Sequence, residues 1–278
     1  MPALSRSRST VRPHQQSDDR QPTSAARMYD YFLGGTNNLQ VDRDAAAEGM
    51  RYDPDLGKIA QANRQFLIRA VRHVAEQGVS QFLDVGSGLP TQENVHEVAQ
   101  SINPGARTIY VDSDPSVLPQ AEALLVGDEQ TRLIKADVRD PHGILTHPDT
   151  LRHFDVDQPW GLVLCSVLHF VPDADDAYGV VFRLMEAMPP KSYMVFAHVS
   201  STDIDPGIYK IMMAANAKSL STPVTYRTVE EIARFFDQPG WSLLEPGLVD
   251  VQRWQPGHAT DDYTRLTARV LGGVAQKA

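Results

Sequence analysis

Between Leu56 and Gln77 the apolar residues Ile59, Ala62, Phe66, Leu67, Ala70, Val71 and Val74 recur at helical spacing. Gly78 then stands where a C-terminal glycine cap belongs. The pattern predicts an amphipathic helix. Beyond it, short apolar runs alternate with helical stretches. Strands are predicted over Gln81–Val85, Arg107–Asp112, Arg132–Ala136, Gly161–Leu168 and Tyr193–His198, and helices over Glu93–Ile102, Ser116–Leu125 and Asp173–Met188. Such alternation predicts a parallel sheet with helices on both faces. Gly161–Leu168 is almost wholly apolar, so it belongs in the sheet centre, where strands are buried on both sides.

The last third reads differently. Asp205–Ser219 has a helical face of Ile208, Ile211, Met212 and Ala215. Thr228 with Glu231 makes a capping box that opens a helix over Thr228–Asp237. Trp241–Val251 and Thr267–Gln276 close the chain as two predicted strands. At the other end, Tyr29, Tyr31, Phe32 and Leu33 crowd together before Gly34-Gly35, which predicts a short aromatic helix stopped by a glycine turn. The residues before it are rich in Ser, Arg, Gln and Pro and lack a core pattern. The expected organisation is a disordered tail over 1–24, an N-terminal lid segment over 25–50, and one domain over 51–278.

Composition narrows the function. With 278 residues, 42 % hydrophobic and 22 % charged, the chain is an ordinary globular protein. Its 26 Lys and Arg against 35 Asp and Glu give a net charge of −9, which disfavours nucleic acid as a partner. The longest near-apolar run, Trp160–Val171, falls short of the roughly 20 residues of a membrane span, so no membrane partner is expected. The N-terminus shows no apolar signal-peptide core. Cys165 is the lone cysteine, which excludes an internal disulfide and fits a reducing cytoplasm. His142, His147 and His153 are scattered without ligand spacing, so no metal site is expected.

The chemistry concentrates in Asp84-Val-Gly86-Ser87-Gly88, where a strand enters a Gly-x-Gly turn before a helix. Glycine lets the backbone turn tightly and lets a ligand approach the peptide groups. A dinucleotide turn places a third glycine where this chain has Thr91, and its pyrophosphate gains nothing from a carboxylate at Asp84. A ligand with an ammonium and a sulfonium gains from it. Asp112 closes the second strand, where a carboxylate can accept two ribose hydroxyls. Asp137 closes the third, where it can accept an adenine amino proton. Each acid alone reads as a strand-end turn or cap. Three together line the crevice at the carboxyl ends of the strands, where open α/β sheets bind ligands.

On these motifs, with ARMYDYFLGG, NRQFLIRAVRHVAEQG, QFLDVGSGLPT, YVDSDP, ADVRDP and VLHFVPD, the chain resembles the actinobacterial S-adenosyl methyltransferase family, formerly a domain of unknown function, within the class I enzymes. The resemblance runs from about residue 25 to the end. It implies a Rossmann-like, seven-stranded, mostly parallel sheet whose last strand is antiparallel, and S-adenosyl-L-methionine as cofactor. Asp84, Gly86 and Gly88 are then expected at the methionine part, Asp112 at the ribose, and Asp137 with Val138 at the adenine. Ser87, Ser113 and Ser166 complete the expected cofactor contacts. The family pattern names no acceptor.

The expected activity is methyl transfer to oxygen or nitrogen of a small-molecule substrate. His169, after the fourth strand, and His198, ending the fifth, are the candidate bases. Tyr29 and Tyr31 in the lid and Tyr209 in the insert Ile204–Arg227 are candidate substrate contacts. Two other readings stay open on the residues alone. One is a nicotinamide-dependent oxidoreductase. The other is a cofactor-binding regulatory module without catalysis.

Overall fold

The structure, a computed structural model, describes residues 21–90, 93–125, 127–219 and 223–278. Three helices lead the chain: α1 (Ala25–Phe32), α2 (Gln40–Tyr52) and α3 (Leu56–Glu76). The first alternating half follows as β1 (Gln81–Val85), α4 (Val95–Ile102), β2 (Arg107–Asp112), α5 (Leu118–Leu124) and β3 (Thr131–Lys135). Two short helices, α6 (Pro141–Leu145) and α7 (Pro148–His153), cross to β4 (Gly161–Cys165), α8 (Ala177–Ala187) and β5 (Tyr193–Ser200). The closing segment holds α9 (Pro206–Ser219), α10 (Val229–Ala233), β6 (Trp241–Leu243), β7 (Val249–Asp250), β8 (Trp254–Gln255), β9 (His258–Ala259) and β10 (Arg269–Lys277).

The sheet runs β3-β2-β1-β4-β5-β10-β6, and β7 also pairs with β10. Strands β1 to β5 are parallel, whereas β10 runs antiparallel to β5, β6 and β7. Alternate residues feed two cores. On one face Phe82, Tyr110, Val163 and Val195 pack against Phe66, Val71 and Val74 of α3 and Val98 of α4. On the other, Leu83, Ile109, Leu162 and Phe196 meet Ile144 of α6, Val181 and Leu184 of α8 and Ile232 of α10. The central strand β4 is buried over Gly161–Leu164, as a run apolar on both faces requires.

Three expectations change. The predicted strand Gly161–Leu168 ends at Cys165, because Ser166 turns the backbone to a φ of 60° and residues Leu168–Phe170 wind into a 3-10 turn. The predicted strand Trp241–Val251 is two, since Pro246 and Gly247, with a φ of 84°, interrupt the ladder and leave β6 and β7 to pair with separate stretches of β10. The lid segment continues past its glycine turn into a second helix, α2.

The first two helices, α1 and α2, are joined through a buried acid. Asp42, fully buried, accepts from Arg27 Nε at 2.5 Å, from the Ser24 amide at 3.0 Å and from the Leu39 amide at 2.9 Å. It therefore ties α1 to the start of α2. Ser24 caps α1 and its hydroxyl also donates to Asp114 beyond β2, so α1 is pinned across the strand ends. Composition places Gln21–Ser24 with the tail, yet Ser24 is buried. The tail residues 1–20 lie outside the described residues. Ser24→Ala removes the cap and the link to Asp114, and an N-cap is worth about 1 kcal/mol. Hydrogen exchange at the α1 amides is expected to quicken roughly fivefold, since 1.4 kcal/mol is about tenfold. Unchanged exchange would show that Ser24 does not hold the helix.

Candidate functional site

The carboxyl ends of β1, β2, β3 and β4 open into one cavity of about 1140 Å³. It is lined on the opposite side by α1 and the first half of α3, and extends towards α9. Gly86 begins the turn after β1 with a φ of 74°, and a Cβ there would lie 2.2 Å from Val167 Cγ2, so no other residue fits without displacing that side chain. The Gly86 amide donates to the Val111 carbonyl at 2.8 Å, and the Gly88 amide donates to Asp112 Oδ2 at 2.8 Å. Asp112 Oδ1 accepts from the Asp114 amide at 2.9 Å. The second acid thus holds the glycine turn, and with about four lone-pair positions a carboxylate keeps room for a ligand. Burial raises the Asp112 carboxyl above its ordinary range.

Asp84 is 7 % exposed and lines the cavity without a protein hydrogen bond among the described residues. Burial pushes its carboxyl up to about 7, the Arg64 guanidinium opposing and Asp112 adding to the rise. Arg64 sits 5.8 Å from the centre of the Tyr29 ring, and its Nε is buried with no partner among the described residues. Next to it on α3, Asn63 donates to the Tyr29 hydroxyl at 3.1 Å, and its Oδ1 has no partner among the described residues. The Tyr29 hydroxyl in turn donates to the Ala60 carbonyl at 3.1 Å. Asp137 faces Arg139 at 2.6 Å, and that guanidinium holds its carboxyl below the usual range. Ala136, Asp137 and Val138 line the cavity there, as do Ser87, Ser113 and Ser166.

His169 also lines the cavity. Its buried Nδ1 has no partner among the described residues, and burial, with His198 and Arg227 nearby, holds the ring well below its ordinary pKa. The Thr225 amide donates to the His169 carbonyl at 2.6 Å, and the next residue, Tyr226, lines the same cavity. The remaining expectations are corrected. His198 is fully buried and does not line the cavity. Its Nε2 accepts from Arg227 at 2.7 Å and its Nδ1 donates to the Val199 carbonyl at 2.7 Å, so both nitrogens are engaged within the protein. Burial depresses it to about 3. Tyr31 does not line the cavity, although Phe32, whose ring centre is 6.2 Å from its own, does. Tyr209 stands behind Tyr226, ring centres 5.9 Å apart, and it is Tyr226 that reaches the wall. Thr91 lies outside the described residues.

Asn63, Arg64 and Asp53 were not expected at the site. Asn63 carried a signal: it sits four residues after Ile59 and four before Leu67, on the apolar stripe of α3, and a buried polar residue on such a stripe is informative. Arg64 and Asp53 carried none, because an arginine on a helix and an acid in an Asp-Pro turn are ordinary surface residues.

The sequence profile described as S-adenosyl methyltransferase matches residues 11–278. The chain belongs to the S-adenosyl methyltransferase family. It is 39 % identical to a candidate methyltransferase from Thermobifida fusca YX, covering 96 % of this chain and 99 % of that one, with a TM-score of 0.85. It is 37 % identical to a DUF574 family protein from Streptomyces avermitilis MA-4680, covering 94 % and 100 %, with a TM-score of 0.86. An O-methyltransferase family protein from Burkholderia thailandensis, 12 % identical with a TM-score of 0.52 and covering 96 % of this chain and 68 % of that one, shares the fold. A search of the curated proteins finds no match. Membership sets aside the nicotinamide reading, and S-adenosylmethionine is the cofactor of the family methyltransferase. The site fits that cofactor: a carboxylate and a guanidinium lie within electrostatic reach of each other, neither spent on the other by a hydrogen bond among the described residues, and suit an amino acid zwitterion. No helix among the described residues is long and apolar enough to cross a membrane.

Proposed function

We propose that this methyltransferase acts on an oxygen or nitrogen of a small molecule held in the same cavity as the cofactor. The supporting observation is that Asp84 and His169 line one cavity of about 1140 Å³ with α1 across it. Single-ligand pockets span about 300–1,000 Å³, so this volume suits two ligands together. A recessed cavity with α1 along one wall suits a small acceptor.

Asp84 would hold the ammonium of the methionine part and Arg64 its carboxylate. Asp112 would take the ribose hydroxyls, and the chain at Ala136–Val138 would flank the adenine. When bound, S-adenosylmethionine supplies a methyl group on a positively charged sulfur. The protein's task is to place the acceptor in line and to exclude water. Tyr29 and the other apolar residues of α1 do the second. His169 stays neutral at pH 7 and presents a hydrogen-bond acceptor to the incoming O–H or N–H. For an oxygen acceptor a weak base suffices, because the oxonium formed on methyl transfer is strongly acidic and releases its proton readily, whereas a nitrogen acceptor attacks as the neutral amine and its methylated ammonium can leave with the proton still bound.

Saturation with S-adenosylhomocysteine at 100 times its dissociation constant is expected to stabilise the protein by about 2.7 kcal/mol, roughly 5–10 °C in Tm. NAD should give no shift. His169→Gln is expected to slow turnover of small molecules while that shift stays the same. Equal turnover in wild type and the variant would remove His169 from the reaction, and turnover confined to proteins or nucleic acids would overturn the small-molecule reading.

A further inference from the structure

An acid at the end of α2 lines the cavity and is used neither by the cofactor nor by proton removal. Asp53, the C-cap of α2, is 2 % exposed and lines the cavity. Its Oδ1 accepts from the Asp55 amide at 3.0 Å. Its Oδ2 is buried with no hydrogen-bond partner among the described residues. A buried carboxylate oxygen left in this way is unfavourable unless a ligand supplies the donor.

The surroundings say what kind of donor. Leu56 follows Asp53 at the start of α3, and Ile59 and Met212 cluster with Tyr226, so apolar side chains wall this part of the cavity beside Asn216, whose amide is already paired with the Val224 backbone. Tyr226 stands near enough for Asp53 to raise its hydroxyl, with burial the larger cause, to about 12, yet it does not hydrogen-bond to Asp53. The arginines among the described lining residues are directed elsewhere. Arg27 is bound by Asp42, Arg139 by Asp137, and Arg64 acts on Asp84. A neutral hydroxyl would satisfy the hydrogen bond but bring no full counter-charge to a carboxylate that otherwise faces only the partial charge of the α3 N-terminus. An ammonium does both, and the adjacent Tyr226 ring favours a cation further.

The geometry points to Asp53 as the anchor for a basic amine carried by an otherwise apolar methyl acceptor. This rests on the reading that acceptor and cofactor share the cavity. The anchor is distinct from the cofactor's acid. Leu56, whose amide donates to the Asp53 carbonyl, and Arg64, which faces Asp84, are eight residues apart on α3, about 12 Å of helix. The anchored nitrogen therefore orients the molecule.

The test uses the full chain saturated with S-adenosylhomocysteine. Tyramine and tryptamine are titrated by calorimetry beside their neutral counterparts 4-propylphenol and 3-propylindole. In wild type the amines are expected to bind at least tenfold tighter than the neutral partners. Asp53→Asn, which keeps the acceptor for the Asp55 amide, should bring that ratio to about one. Its affinity for S-adenosylhomocysteine, which also reports folding, should not change. A ratio near one in wild type, including failure of every probe to bind, or a ratio preserved in Asp53→Asn, would overturn the assignment. Failure of S-adenosylhomocysteine to bind wild type would instead overturn the cofactor reading beneath it.

Discussion

Replacing Asp84 with asparagine is expected to cripple cofactor binding while making the ligand-free protein more stable. Removing one partner of a buried charged pair costs about 2–5 kcal/mol, or roughly 30-fold to several thousand-fold in affinity. The stability effect has the opposite sign. The carboxyl titrates at about 7 in the fold and near 3.9 in an unfolded chain. Between roughly pH 4 and 7 the folded state holds a proton that the unfolded state has lost, so stability falls as pH rises through that window. Above pH 7 the whole penalty is present, on the order of a few kcal/mol, and asparagine removes it. Binding of a cationic ammonium needs the ionised form, so wild-type affinity should rise with pH to about 7 and then level, while the variant stays flat. Calorimetry at pH 5.5, 7 and 8.5 with parallel melting curves checks both halves. Undiminished affinity of a folded Asp84→Asn protein at pH 8 would remove Asp84 from the ammonium site.

Arg227→Ala is expected to destabilise the protein by about 3–5 kcal/mol, the cost of breaking a buried charged network. The guanidinium is 1 % exposed and donates to the Leu168 carbonyl at 3.0 Å, the Val171 carbonyl at 2.7 Å, Asp173 at 2.7 Å and His198 Nε2 at 2.7 Å. It also lies 5.3 Å from the Phe235 ring centre. Asp173 is 60 % exposed, so the ion pair itself adds little. The loss comes from two carbonyls and an imidazole left without a donor. Arg227→Lys should rescue only part of it, because a point charge cannot span the fork. Urea unfolding measures both variants, and a loss below 1 kcal/mol for alanine would show that water replaces the guanidinium. The depressed His169 and His198 act on acid stability in the direction opposite to Asp84. Both stay neutral in the fold, so stability drops as pH falls below about 6.5, where the unfolded histidines take up protons.

The fold was legible where periodicity is strong. The stripe on α3 and the run at β4 announced a helix and a central strand, and the acids Asp84, Asp112 and Asp137 follow β1, β2 and β3 to the cavity. What escaped was set by contacts distant in sequence. Nothing near Ser166 announces its left-handed turn, which is held by the Ala197 carbonyl accepting from its amide. The two histidines looked alike, each at a strand end, and only the distant Arg227 separates them by occupying one. The polar pair Asn63 and Arg64 joins the cavity wall with Tyr29 of α1 against it, a contact more than thirty residues away in sequence.

The close approach of Gly86 to Val167 has a consequence for redesign. The glycine turn after β1 and the segment that carries His169 share one boundary, with no room between them for a side chain at Gly86. Enlarging position 167 to reshape the acceptor side would push on a turn whose own residue is already the smallest available, and no compensating shrinkage exists at position 86. Changes of acceptor preference should therefore be sought on α9 and around Tyr226, where the wall is built from side chains that can be traded in size without touching the glycine turn.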